Sequence, residues 1–272
     1  MSITAADTDL MQQPAPEAEP RSALGRLLRD PGRVWGYIGI PIVVVASWIA
    51  VYRWIAGLEL DSIEQRWLNA DRVSRAIIEH IQLSLAATVL VIVIAVPLGI
   101  MLTRPFAKPL TPLFIGLANI GQAIPSVGLL FFLALPFLLG IGPRTAIVGV
   151  VAYCLLPVLR NTMVGIQQVD RALIEAGRGM GLTRGAVLAR IELPLAVPVI
   201  LAGIRTALIL TVGTMVLATF INAGGLGDLI NGGIVNNRTP VLLTGAVLTA
   251  GLALLIDWIA GIAEEVLRPR GL

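Results

Sequence analysis

Residues 175–194 read EAGRGMGLTRGAVLARIELP. Glu175, Arg178, Arg184, Arg190 and Glu192 fall inside this stretch, and apolar runs lie on both sides of it. The surroundings set the class of protein. Only 14% of the 272 residues are charged, 56% are hydrophobic, and mean hydropathy is +0.86. Soluble proteins carry about 25% charged residues. A deficit of this size, with apolar runs of about 20 residues, makes lipid the solvent. The chain is read as all-α, a polytopic integral membrane protein, and the quoted stretch as a polar excursion between two spans.

The excursion reads as two short helices joined by a turn. Leu173, Ile174 and Ala176 give the first an apolar side. Gly181 is placed to end it in a left-handed conformation, which glycine adopts at little cost. Thr183 is placed to cap the second helix, and Val187, Leu188 and Ile191 fall on one face of it. Leu193-Pro194 closes the unit and leads into the next span. Three uses compete: an interfacial hairpin with its arginines toward lipid phosphates, a phosphate loop suggested by GRGMG, and a docking element for a cytoplasmic motor. No strand precedes GRGMG, which weighs against the phosphate loop.

Six spans are expected, at about 34–56, 81–103, 113–139, 145–159, 195–221 and 241–262. Residues 1–33 and 263–272 are tails, and 57–80 a polar segment. Residues 81–262 form the transmembrane domain, with 161–194 as its polar loop. The first 20 residues are polar and contain Pro14, Pro16 and Pro20, so disorder is expected there rather than a cleavable signal. The third run is long and contains Gly121, Pro125, Gly128 and Pro136. Read as one kinked helix, it places thirteen of the twenty basic residues on one side, including Arg104, Lys108, Arg160, Arg171, Arg178, Arg184 and Arg190. Six fall on the other side and Arg205 within a span. Basic residues accumulate in the cytoplasm, so both termini and the polar loop are expected there.

Several chemistries are excluded or discounted. Lys108 is the only lysine and Ala107 precedes it, so the chain has no phosphate-binding loop of the G-x-x-x-x-G-K-[ST] kind. Any ATP that drives it binds another subunit. Cys154 is alone and no paired metal ligands occur. His80, at a helix entrance beside Glu79, is expected to be a solvated interfacial residue. The basic balance reflects topology, not nucleic acid. Gln122, Pro125 and Ser126, at the kink, are candidates for a translocation path, since unwound backbone within a membrane must be buried or face a cavity. Asn222 and Gly225 begin a glycine-rich outer stretch, 222–233, that suits a re-entrant or gate-like loop. Arg205 and Asp257 are intramembrane charges expected to pair.

The quoted stretch resembles the EAA signature of binding-protein-dependent ABC permeases: E-A-A, three residues, G, nine residues, I-x-L-P. Glu175, Ala176 and Gly177 are followed by Gly181, and then by Ile191-Glu192-Leu193-Pro194 at the matching spacing. Gly177 alone departs, standing where alanine is usual. The likeness extends over roughly 76–272 and, through 119–126, 156–162, 198–205 and 224–227, reaches the permeases for glycine betaine, carnitine, choline and related osmoprotectants. The resemblance implies a MetI-like core of five helices with one helix added at the N-terminus. It implies that Glu175, Ala176 and Gly181 dock on an ATPase, with Gly177, Ile191, Leu193 and Pro194 completing the coupling element. It also implies partners: two cytoplasmic ATPase subunits that bind ATP and Mg, a second permease subunit, a separate extracytoplasmic binding protein, and the lipid of a bacterial cytoplasmic membrane. No covalent chemistry is expected of the chain. Aromatic residues make up 5% and do not cluster in the later spans, so a high-affinity cage for a quaternary ammonium is not expected here. A permease for another small solute, such as an amino acid, is the nearest alternative. An ion-driven secondary transporter is more distant, since no convincing repeat is evident and Asp257 is the only plausible carboxylate within a span, and a membrane scaffold leaves the broken third run without purpose.

Overall fold

The structure, a computed structural model, describes the backbone of residues 31–267 and side chains from residue 38. Most of the two tails, with Arg21, Arg26, Arg29, Arg268 and Arg270, lies outside the described residues. The chain divides into Met1–Gly39 and Ile40–Leu272, and the account below concerns the second unit. Among the described residues the elements are all helical: α1 Pro31–Ala56, α2 Ser62–Trp67, α3 Ala70–Leu102, α4 Thr111–Ala123, α5 Ser126–Leu133, α6 Pro143–Gln167, α7 Arg171–Gly179, α8 Arg184–Val187, α9 Leu193–Met215, α10 Leu226–Val235 and α11 Thr239–Leu267. α1, α3, α6, α11 and the continuous run Arg184–Ile221 are long and apolar enough to cross a membrane.

The core is built where α3, α6 and α9 pack together. Val91, Ala95, Val150, Cys154, Val158, Leu159 and Ala207 are buried at their junction. The helices approach closely because small residues lie between them, the usual device where lipid offers no hydrophobic drive to association. A Cβ on Gly99 would stand 2.8 Å from Thr162 of α6, and one on Gly165 would stand 3.1 Å from the Ala196 carbonyl of α9. A second cluster joins α3, α9, α10 and α11 through Ala76, Val212, Leu226, Leu229, Val241 and Leu252.

Four expectations change in detail. First, the third run is not one kinked helix: α4 and α5 meet at 99°. Ile124 is extended (φ −70°, ψ 132°), as the residue before a proline prefers, and Pro125 supplies no backbone N–H to carry the helix on. The pair nonetheless traverses the bundle along α6. Asn119 bonds Arg160 and Gln122 bonds Tyr153, while Leu130 lies against Gly149. The α6 partners climb toward its N-terminus as the α4–α5 chain advances, so the broken pair runs antiparallel to α6. Second, α3 begins at Ala70 instead of about residue 81, because Val73, Ala76 and Ile77 give its first turns an apolar face against α10. Third, α6 runs on to Gln167. Arg160, expected just past the end of this span, therefore lies in the helix, held by the Asn119 side chain at 2.9 Å, and residues 161–167 belong to α6 and not to the polar loop. Fourth, most of 222–233 is helix α10. Its glycines permit contact more than motion: a Cβ on Gly227 would stand 2.1 Å from the Val216 carbonyl oxygen.

Two ends of the bundle can be told apart. At one, Thr111 donates to the Leu102 carbonyl and Arg104 meets Glu192. At the other, Phe131 contacts Phe220 and Arg238 pairs with Asp61 at 2.7 Å.

Candidate functional site

The polar excursion forms a compact turn at the first end. Asp170 caps α7, its carboxylate accepting from Ala172 N at 2.9 Å. The helix ends at Met180, and Gly181 follows at φ +87°. Leu182 N donates to the Gly177 carbonyl at 3.1 Å and Gly181 N to the Arg178 carbonyl at 2.9 Å. This pair of bonds is a Schellman closure, and it needs the left-handed backbone that glycine supplies. Thr183 then caps α8, its hydroxyl accepting from Ala186 N at 3.2 Å.

After the cap the chain does not pause at Leu193-Pro194. α8, a π-helical turn over Leu188–Glu192, α9 and a final 3-10 turn form one helical run, Arg184–Ile221. The π-turn bond from Leu193 N to the Leu188 carbonyl widens the helix just ahead of Pro194, whose ring and missing N–H an ordinary α-turn accommodates poorly. The turn is thus rooted in the fifth span without a joint.

Packing fixes α7 onto this run. A Cβ on Gly177 would lie 2.5 Å from Ile191 Cδ1, so Ile191 occupies the space an alanine would use. Gly177 and Val187 are buried between the two helices, whereas Glu175, Ala176, Arg178 and Met180 are exposed. The outward side of the turn therefore presents a carboxylate, a small residue and the 77%-exposed Met180.

One participant at this end escaped the sequence reading. Glu192 fills the unspecified position of I-x-L-P, yet its side chain is 7% exposed and forms an ion pair with Arg104. Eighty-eight residues separate the two, and no local pattern signals the pairing.

The other candidate residues lie apart from the turn. Gln122 donates to the Tyr153 carbonyl at 3.2 Å, with Pro125 and Ser126 just beyond at the break. Asn222, itself left-handed at φ +56°, opens an elbow that continues through Gly225 at φ +91°. Gly225 N donates to the Glu79 carboxylate at 3.2 Å. His80 is not solvated: it is fully buried, and a Cβ on Gly225 would stand 3.0 Å from its Nδ1. Its Nε2 lies 3.1 Å from the Val212 carbonyl; a carbonyl only accepts, so Nε2 carries the hydrogen. Above this elbow a cleft of about 710 Å³ is lined by Arg66, Arg72, Arg75, Glu79 and Asp228 among others. Arg205 and Asp257 are brought together in a bidentate pair at 2.5 and 3.0 Å, with Glu264 at 3.5 Å from the same guanidinium. Among the described residues no three or more His, Cys, Asp or Glu side chains are grouped to hold a metal ion.

Comparison with known proteins agrees with this geometry. Residues 95–269 match the family described as "Binding-protein-dependent transport system inner membrane component". The chain is similar to the choline transport system permease protein OpuBB of Bacillus subtilis, 45% identical over 194 residues, covering 71% of this chain and 88% of that one. It is similar to the carnitine transport permease protein OpuCD of Listeria monocytogenes, 41% identical over 202 residues, covering 74% and 89%. Among solved structures it resembles the inward-facing MetNI methionine ABC transporter, with a TM-score of 0.64 and 25% identity, covering 72% of this chain and 96% of that chain. The signature, the helix arrangement and these matches agree: the chain belongs to the family of binding-protein-dependent transport system inner membrane components, as a multi-pass ABC permease.

Proposed function

We propose that this permease is the membrane-spanning subunit of an ATP-driven importer for osmoprotectants such as glycine betaine, carnitine or choline. The observation that carries the reading is the turn at Gly181: an exposed Glu175–Ala176 edge is held rigidly on the fifth span by the Gly177–Ile191 contact. Such an edge fits a cleft in a cytoplasmic ATPase. Two ATPase subunits binding ATP and Mg would close on each other and drive the turn. A helical run without a joint passes the displacement into the bundle as a rigid-body movement, and access alternates between the two faces of the membrane. A second permease subunit completes the pathway, and an extracytoplasmic binding protein delivers the solute to the face that carries α10. The turn, Lys108 and the C-terminus are on the cytoplasmic side of a bacterial inner membrane in this reading, in keeping with the distribution of arginines. The names of the relatives support the solute class. The path runs past Gln122, Pro125 and Ser126 and is closed on the outer side by the elbow at Asn222–Gly225.

The test is purification of a tagged copy in mild detergent beside Gly181→Asp expressed to the same level. Gly181 has open space around it, but aspartate is strained at φ +87° and brings charge to the docking edge. An ATPase subunit retained by the unmodified protein and lost from the variant is expected, with the variant still folding cooperatively and melting only slightly lower, as the strain at one surface turn requires. Absence of an ATPase from both intact preparations would sink the importer reading. Uptake of labelled choline, glycine betaine, carnitine and methionine by membranes containing the complex then separates the osmoprotectant class from the amino-acid alternative.

A further inference from the structure

We infer that Arg104 and Glu192 form a strut that carries the motion of the coupling turn into α3, the second span, so that hydrolysis and transport stay in step. The inference rests on the importer reading above. Glu192 lies in the π-turn of the same helical run that begins at the coupling turn. Any displacement of the turn therefore moves its carboxylate. Arg104 sits just past the C-terminus of α3, where the helix dipole favours a cation. Its Nε lies 3.1 Å from Thr103 Oγ1 and 3.4 Å from the Ile100 carbonyl, so the guanidinium is fastened to the last turn of α3.

The surroundings make the pair a strut instead of a decoration. Ile166, Ala196 and Ile200 are buried beside it, with Val96, Ile100 and Leu193 packed around them. These contacts are apolar, and apolar surfaces slide past one another with little directional preference. An ion pair whose carboxylate is 7% exposed does not slide, because separation leaves a buried charge without its partner. By covalent connection, α3 is reached from the turn only through α6, α5 and the 99° break before α4. The Arg104–Glu192 contact bypasses that bend. It also gives a task to the one position that the I-x-L-P pattern leaves open.

Two measurements test this. The first uses the permease alone in detergent: Arg104→Gln, Glu192→Gln and the double variant are melted as a cycle. The double variant is expected to melt at nearly the temperature of either single one, since the second substitution has no pair left to break. Additive losses would mean that the pair does not form in the protein and would overturn the proposal. The second uses proteoliposomes holding the permease with its ATPase and binding protein, and reads labelled solute moved per ATP hydrolysed. Arg104→Glu and Glu192→Arg are expected to retain the ATPase and hydrolyse ATP, while solute moved per ATP falls about two- to thirtyfold, the range for residues on a coupling route. Arg104→Glu combined with Glu192→Arg is expected to recover most of the ratio, a rescue that lost packing would not give. Unchanged ratios in folded single variants, or a swap no better than the singles, would overturn the strut and leave the importer reading intact. An unmodified complex that retains no ATPase and moves no solute would overturn the importer reading and the strut with it.

Discussion

Gly177 is the one position at which the coupling signature departs from its usual residue, and the space around it gives the reason. Ile191 Cδ1 fills the volume that a methyl group at 177 would take. An alanine there is expected to be tolerated. The isoleucine end can swing away, and the helix gains up to about 1 kcal/mol from losing a glycine. A leucine has no such escape: overpacking of this kind costs about 1–3 kcal/mol and pries α7 from the fifth span. Gly177→Leu is thus expected to melt lower than Gly177→Ala and to lose its ATPase on purification. A leucine variant that holds the ATPase as firmly as the unmodified chain would mean that this contact does not set the turn. The residue scale also shows where sequence reasoning stops. Gly181 and Thr183 were legible, because left-handed closure and N-capping are local chemistry. His80 was not. Its neighbour Glu79 and the polar residues before it suggest solvent, but solvent exposure depends on where α3 begins. With the start at Ala70, His80 stands three turns into a packed helix and its ring is closed over by Gly225.

Elements show the same division between local and distant causes. α1 and the α9 run fall close to their expected limits, whereas α11 continues to Leu267, past the expected end at 262. α3 overruns because its first turns carry an apolar face that packs on α10, and α6 because the polar Arg160 near its end finds a partner in Asn119. α2 is the clearest case of a short element held by charge. Asp61 accepts from Glu64 N and Ile63 N at 2.8 and 2.9 Å, Glu64 returns a bond to Asp61 N, and Arg238 pairs with the free face of the carboxylate. The Glu64 backbone bond, with Arg238 and the Ile63 bond, holds the Asp61 carboxyl below its ordinary value against the opposing effect of burial. The sign follows by linkage: a depressed carboxyl stabilises α2 above the unfolded value of about 3.9 and loses that contribution as pH falls through the lower folded value. The protection of amides 62–67, measured against their intrinsic exchange rate at each pH, is therefore expected to be flat across neutral pH and to fall only in acid below the ordinary carboxylate range. Asp61→Asn should exchange faster at neutral pH and lose most of that acid dependence. An unmodified α2 that loosens between pH 5 and 7 would contradict the role given to this capping box.

At the scale of the whole molecule, the arrangement of the spans turns on whether α4 and α5 together cross the membrane or dip in and return. The count of arginines on the two sides favours a crossing, but it assumes that basic residues stay inside. The folded chain supplies an argument free of that assumption. If the pair were re-entrant, α6 would start at the end of the bundle that holds Arg104 and finish at the opposite one. Glu192, which follows α6 after the compact polar excursion that α7 and α8 fold back on itself, would then be separated from Arg104 by the length of a span, about 30 Å. The ion pair between them requires an even number of crossings between Arg104 and Glu192, and the broken pair with α6 provides two. Single cysteines give the direct check. Phe106 and Met180 are both 77% exposed at one end, and Ile141 and Val235 are 72% and 73% exposed at the other. Cys154 is fully buried and should stay silent in the background. With a membrane-impermeant maleimide on intact cells, Ile141→Cys and Val235→Cys are expected to label at once. Phe106→Cys and Met180→Cys should label only after the membrane is opened. Labelling of 141 together with 106 would make the pair re-entrant. The coupling turn would then lie across the membrane from Arg104, and neither an ATPase socket nor the ion pair could survive in the form described.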